Sequence, residues 1–332
     1  MTNQETAPTA KDYYFDSYAH FGIHEEMLKD SVRTLAYKDA ILGNKHLFKD
    51  KIVLDVGCGT GILSMFCAKA GAKMVIGVDM SDIIHKAREI VKENNLSEIV
   101  TLIQGKIEEV ELPVPKVDII VSEWMGYFLL YESMLNSVLV ARDRFLAPGG
   151  IILPDKATLL LAGIEDAEYK DEKISYWDNV YGFKMSCLKE IALKEPLVDT
   201  VEAKAVMTTA AVLKEIDIMT VKEEELSFKT DFELKATRSD FAHGFVGYFD
   251  IEFSFCHKPV RFSTGPHAKY THWKQTVFYT HNDLIMNPNE SIKGTLSLKP
   301  NERNPRDLDI LIDFKCAGKD CNVSESLKFQ MS

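Results

Sequence analysis

The sequence lacks any apolar run near the roughly 18 residues that a membrane-spanning helix needs, so no membrane anchor is expected. Its opening residues, MTNQETAPTAKD, have neither the basic start nor the apolar core of an export signal, and secretion is not expected. Positive charge is in deficit: 39 Lys and Arg stand against 50 Asp and Glu, a formal charge of -11. That balance repels nucleic acid and raises the local concentration of cationic ligands. Basic peptides fit it as partners, and direct nucleic-acid binding does not. The six cysteines, Cys58, Cys67, Cys187, Cys256, Cys316 and Cys321, show no paired-ligand rhythm, so they read as reduced thiols and no metal site is expected. Internal repeats and low-complexity stretches are missing as well.

What is present is a chain of 332 residues, 46% hydrophobic with 11 prolines and 18 glycines, enough to bury a large core and to form two domains. Residues 1–12 read as a disordered tail. Residues 13–47 read as a helical lid, with an aromatic segment (Tyr13, Tyr14, Phe15, Tyr18, Phe21) ahead of a helical pattern from about His24 to Leu47. From Lys51, short apolar runs alternate with helical stretches: Ile52–Leu54, Met74–Val78, Val100–Ile103 and Val117–Val121. The alternation predicts a doubly wound α/β, Rossmann-like domain over residues 48–154. Pro154 marks the boundary. Beyond it, a helix-like stretch rich in acids and aromatics precedes a series of strand-like runs, which predicts a β-barrel or sandwich over residues 155–332.

The sharpest local motif runs from Val53 to Leu63, a buried strand entering a glycine-rich turn and a helix. Gly57, Gly59 and Gly61 allow a tight turn and a close approach by a ligand. A dinucleotide site asks for G-x-G-x-x-G with a pyrophosphate at the helix N-terminus. Here the spacing is G-x-G-x-G, and Asp55, just before it, would oppose a pyrophosphate but accept a hydrogen bond from an ammonium. Asp79 ends the next strand, where an acid can accept from both ribose hydroxyls. A ribose without phosphates fits S-adenosylmethionine. The alternative is a plain tight turn in which Asp79 caps the following helix.

A second motif, Ser122–Met134, follows the fourth strand and puts Glu123 and Glu132 where ligands of open α/β sheets bind. A planar guanidinium would satisfy two carboxylates among aromatics. The alternatives are acid/base work on a sugar or other small substrate, or a solvated loop in which one carboxylate pairs with Arg33 or Arg142. A third motif, Tyr270–Gln275, holds His272, which could relay a proton, and Trp273, which could stack on a cation. A structural role for the histidine stays open. So does simple core docking for the Tyr14, Tyr18 and Phe21 stripe.

These motifs together resemble the type I protein arginine N-methyltransferases of eukaryotes, from Tyr13 to Phe314. The resemblance rests on Tyr14-Phe15-Asp16-Ser17-Tyr18, on Gly22-Ile23-His24-Glu25-Glu26-Met27, on the Asp55–Gly61 loop, on Glu123–Met134 and on Thr271-His272-Trp273. It implies methyl transfer from S-adenosyl-L-methionine to arginine nitrogens of proteins, giving monomethyl- and asymmetric dimethylarginine. It implies a cofactor site of Tyr14, Phe15, His24, Met27, Arg33, Asp55, Gly57, Gly59, Gly61, Asp79, Met80, Glu108 and Glu123. Glu123 and Glu132 would hold the target guanidinium, with His272 and Asp30 as a catalytic pair, and Tyr18, Tyr127, Met134 and Trp273 would meet the substrate. Met27 and Met134 would shape the pocket towards asymmetric dimethylation. Residues from about 166 to 201 would form a dimerisation arm, giving a homodimer or a larger assembly. The implied partners are Gly/Arg-rich RNA-binding proteins and histone tails, in nucleus and cytoplasm. Asp79 departs from the glutamate common in the family, and the Ser263–His267 segment from its usual serine and proline.

Two rival readings follow from the same residues. A methyltransferase of another substrate class would need a base pocket such as Asn-Pro-Pro-aromatic where this chain has Glu123-Trp124-Met125-Gly126. A catalytically silent scaffold for arginine-rich proteins would have no reason to keep Asp55, Glu123, Glu132 and His272 together.

Overall fold

A computed structural model of the chain describes residues 21–332, so the expectations for Tyr14, Phe15 and Tyr18 lie outside the described residues. The described chain forms two compact units, one of residues up to 124 with 134–155 and 252–262, the other of 125–133, 156–251 and 263–332. The sequence suggests one passage between them, at Pro154. The segments 125–133 and 252–262 change units through contacts remote in sequence, which local pattern does not carry.

The first unit opens with helices α1 (Phe21–Lys29), α2 (Ser31–Leu42) and α3 (Lys45–Phe48). A single helix from His24 to Leu47 is not formed. Asp30 interrupts it and caps α2, its Oδ1 accepting from the Arg33 amide at 3.0 Å. Then follow β1 (Ile52–Val56), α4 (Ile62–Lys69), β2 (Met74–Asp79), α5 (Ile83–Glu93), β3 (Val100–Gln104), β4 (Val117–Val121), α6 (Leu135–Phe145) and β5 (Leu146–Leu153). The five strands are parallel in the order β3-β2-β1-β4-β5. Helices cover the sheet, so β1 and β4 are apolar on both faces, with Val53, Leu54, Ile120 and Val121 fully buried.

Strand order reverses between β1 and β4, and at such a switch point the carboxyl ends of the strands leave a crevice. Asp55 of β1 lies opposite Val121 of β4. The Asp55 and Glu123 backbones therefore emerge on neighbouring strand ends.

Apart from β11 (Val260–Ser263), which up to Phe262 belongs to the first unit, the second unit holds β6 (Lys156–Ile164), α7 (Ala167–Lys173), α8 (Ser186–Ala192), β7 (Leu197–Asp199), β8 (Ala211–Asp217), β9 (Phe228–Lys235), β10 (Asp240–Phe253), β12 (Gln275–Met286), β13 (Ser291–Pro300), β14 (Leu308–Ala317) and β15 (Asn322–Met331). They make two sheets, β7-β12-β10-β6-β8 and β15-β14-β13-β9, in a barrel-like β architecture. Aromatic side chains from both fill its core: Phe245 meets Phe314 at 5.2 Å, and Phe278 meets Phe329 at 5.0 Å, both edge to face.

The helical arm, α7 to α8, is anchored at its root, where Ile174 and Val201 pack among Ala162, Ile164, Val246, Val277 and Tyr279. Tyr279 donates to Asp166 at 2.8 Å, and Lys170 pairs with Asp283 at 2.6 Å. Farther out, Tyr181 is 93% exposed and Phe183 70%.

Candidate active site

The glycine turn is built as its spacing demands. Gly57, Gly59 and Gly61 have φ of 72°, 52° and 81°, a left-handed backbone that other residues adopt only with strain. Gly57 also needs its missing side chain, because a Cβ there would lie 2.3 Å from the Met134 Cε. His24, buried in α1, brings its ring against Gly59.

Asp55 sits fully buried below this turn. Its Oδ2 accepts from the Ser64 hydroxyl at 2.7 Å, while Oδ1, equally buried, has no hydrogen-bond partner among the described residues. An unsatisfied buried acceptor is costly. Burial is the main force on this carboxyl and pushes it up to about 7, against the Ser64 hydrogen bonds, which pull it down. A cationic donor at Oδ1 would reverse that balance.

Asp79 ends β2. Its Oδ2 accepts from the Gly59 amide at 2.7 Å, and its Oδ1 from the Ser81 amide at 2.8 Å and the Ser81 hydroxyl at 2.6 Å. A carboxylate offers about four acceptor sites. Two ribose hydroxyls would therefore displace one of these three bonds, and the Ser81 hydroxyl is the one free to rotate. Met80, beside it, is partly exposed. Glu108 is exposed and accepts from Ser137 at 2.6 Å.

Glu123 follows β4 and pairs with Arg33, Nε to Oε2 at 2.9 Å, both side chains being 8% exposed. The sequence leaves open whether Arg33 meets a ligand carboxylate or a carboxylate of the protein, and it meets Glu123. Its Nη1 also donates to the Met27 carbonyl at 3.2 Å. Two hydroxyls missed in the sequence fix this strand end: Tyr37 donates to the Ser122 carbonyl, and Ser122 to the Val56 carbonyl, each at 2.8 Å. Their signal was a polar group on an otherwise apolar face, and Ser64 in α4 carries the same one.

The Met134 amide donates to the Trp124 carbonyl at 2.9 Å, closing the neck of the loop 125–133 within the first unit. The loop itself belongs to the second unit. Phe128, Leu129 and Glu132 have φ of 46°, 68° and 52°, each costing about 1 kcal/mol or more. Burial over-determines the shape: Phe128 and Leu129 are inaccessible to solvent, and Phe128 meets Phe278 edge to face at 5.1 Å. Gly126 allows no side chain at all, since a Cβ would lie 1.6 Å from the Tyr131 carbonyl oxygen. Tyr127 and Tyr131 stack at 6.4 Å, with Tyr127 on the surface.

Trp273 corrects an expectation. It is 3% exposed, packs edge to face on Phe249 at 5.6 Å and donates to the Met125 carbonyl at 3.0 Å. It holds the loop rather than offering a face to a cation, because the indole is spent on core and carbonyl. His272, partly exposed, lies with its ring 4.0 Å from that of Trp273.

Residues 53–150 match the methyltransferase domain family, and residues 155–319 match the arginine methyltransferase oligomerization subdomain. The chain is 65% identical to protein arginine N-methyltransferase 1 of Schizosaccharomyces pombe over 97% of its length and 96% of the relative. It is 59% identical to the protein of the same name in Dictyostelium discoideum, over 97% and 95%. Among solved structures it resembles a chain of the Trypanosoma brucei PRMT1 enzyme-prozyme heterotetrameric complex with AdoHcy. That match has a TM-score of 0.93 and 49% identity, covering 96% of this chain and all of the other.

Proposed function

The chain belongs to the protein arginine methyltransferase family, and from that premise we propose how its own residues carry out arginine methylation. It is an S-adenosylmethionine-dependent protein arginine N-methyltransferase of type I. When bound, S-adenosylmethionine supplies an electrophilic methyl on a sulfonium.

The observation that carries the cofactor reading is the buried, unpartnered Oδ1 of Asp55, which fits the amino group of a methionine moiety. Asp79, oriented by Gly59 and Ser81, is proposed to accept from the ribose. Gly57, Gly59 and Gly61 open the backbone, and His24, Met27, Met80 and Glu108 complete the walls. Arg33 would reach the cofactor carboxylate with the guanidinium edge not engaged by Glu123. The same roles are proposed for Tyr14 and Phe15.

The substrate guanidinium has its positive charge delocalised over three nitrogens and is a poor nucleophile. Glu123 and Glu132 are proposed to hold that charge on two nitrogens, which leaves the third with lone-pair density for in-line attack. Arg33 orients Glu123 through the 2.9 Å ion pair. Tyr18 and Tyr127 are proposed to line the arginine channel, Met134 to limit the room around the methylated nitrogen, and His272 with Asp30 to take part in proton release. The acidic balance of the chain supports cationic partners such as Gly/Arg-rich segments and histone tails. Substrates of that kind imply work in nucleus and cytoplasm, which imaging of the tagged protein tests.

The oligomerization subdomain and the heterotetrameric relative support self-assembly, and we assign it to the exposed apolar residues of the arm. The experiment for the whole reading follows labelled methyl groups into protein and identifies the modified amino acid. Label on arginine nitrogens supports it, and label on another residue type refutes it.

A further inference from the structure

We propose that Arg306 is a positioning residue for Glu132: the β13–β14 loop holds it so that its carbonyl fixes the Glu132 backbone and its guanidinium attracts the Glu132 carboxylate. The inference rests on the reading that Glu132 is one of the two carboxylates that hold the target guanidinium.

Three observations carry it, all within the second unit. First, Glu132 has a left-handed backbone, φ 52°, without being glycine. Such a conformation persists only where the surroundings impose it. The imposing contact is remote in sequence: the Glu132 amide donates to the Arg306 carbonyl at 3.1 Å.

Second, the loop that presents Arg306 is knitted into one conformation. The Asn301 amide donates to the Asp307 carbonyl at 2.9 Å, and the Asp307 amide to the Asn304 carbonyl at 3.0 Å. The Asn301 side chain accepts from the Arg303 amide at 2.9 Å and donates to Asp309 at 2.9 Å. The Asn304 side chain accepts from the Arg306 amide at 3.3 Å and donates to Asp307 at 2.7 Å. A loop so tied is a brace rather than a tether.

Third, the charges around Glu132 compete. Burial is the largest influence and pushes its carboxyl up, the Arg306 guanidinium pulls it down, and Asp307 pushes it up again. Tyr131 faces it as a neutral phenol, held up to about 12 by burial and by Glu132 itself. Arg306 is thus the cation that offsets the burial of Glu132. Without it the carboxyl would take up its proton at higher pH, and a protonated acid no longer attracts a guanidinium.

The test compares wild type with Arg306→Ala, Arg306→Lys and Arg303→Ala, measuring kcat and KM on a Gly/Arg-rich peptide across pH and cofactor binding by titration. Arg303 stands on the same loop but lines a surface pocket with Glu302 and Asp309, so it controls for mere loss of a cation. Arg306→Ala is expected to lower kcat at neutral pH by on the order of tenfold and to move the acidic limb of the profile to higher pH. Part of the rate should return as pH rises. Arg306→Lys should keep the limb near its wild-type position, Arg303→Ala should match wild type, and cofactor affinity should hold within about twofold in all. If Arg306→Ala does not fold, Arg306→Lys against Arg306→Gln reads the same limb. An unmoved limb, or an equal loss at every pH, overturns the proposal. Glu132→Gln separates the two claims. If it is inactive while Arg306→Ala is normal, only the positioning role fails, and if it is fully active, the reading of Glu132 fails and takes Arg306 with it.

Discussion

At the scale of single residues, Asp55 is a carboxyl that burial holds in its acid form, pushed up from 3.8 to about 7. A carboxyl raised on folding favours the folded state below its unfolded value, and that contribution is lost as pH climbs to the folded value. The cofactor-free protein should therefore lose on the order of 1.4 kcal/mol per pH unit between about 4 and 7 relative to Asp55→Asn, then level off. Thermal melts of the pair across pH read this directly, and parallel curves would refute it. Cofactor affinity should rise over the same window, since a cationic amine needs the ionised form. The two glutamates should part company in stability. Glu123→Gln and Glu132→Gln should each slow methyl transfer by on the order of 10²-fold or more, but Glu123→Gln also breaks the 2.9 Å ion pair with Arg33, in which both side chains are 8% exposed. Uncompensated buried charge costs about 3–5 kcal/mol, so its melting point should fall well below that of Glu132→Gln. Equal melting points would mean that the Arg33 pair contributes little.

At the scale of elements, the glycine turn packs against Met134, the residue that leads into α6. Gly57→Ala should cost about 1–2 kcal/mol for its left-handed backbone and push the Met134 side chain aside, since that methyl lies 2.3 Å from the new Cβ. The ratio of monomethyl to dimethyl product should then change, as amino-acid analysis of the peptide would register; an unchanged ratio would clear Met134 of a part in product choice. The turn was legible because its chemistry is local: strand, glycines and Asp55 are contiguous, and Asp79 ends the next strand. Strands β1, β2 and β4 were legible for the same reason, being mostly buried apolar runs, and β3, at the sheet edge, by its apolar Val100, Leu102 and Ile103. Strand β15 was not, because its first half, Asn322 to Ser326, is mostly exposed and polar. Trp273 was misread because only tertiary structure shows that Phe249 and the Met125 carbonyl claim its indole. Arg306 gave no signal at all: its tie to Glu132 spans more than half of the chain.

At the scale of the whole molecule, the arm presents apolar surface that a single chain leaves in water, with Tyr181, Phe183 and Ile191 more than half exposed. Patches of that kind mark association surfaces. Tyr181→Glu with Phe183→Glu should yield a smaller species by sedimentation, with cofactor binding weakened; a double variant that assembles as wild type would remove the arm from the interface. The central claim is that the chain moves methyl groups onto arginine by means of two carboxylates, Glu123 and Glu132. The direct measurement incubates the protein and its Glu123→Gln and Glu132→Gln variants with labelled S-adenosylmethionine and a Gly/Arg-rich peptide, then separates the methylated amino acids. Asymmetric dimethylarginine from the wild type, and almost none from either variant with cofactor still bound, is the predicted result. Label absent from arginine in the wild type, or variants as active as it, would contradict the account.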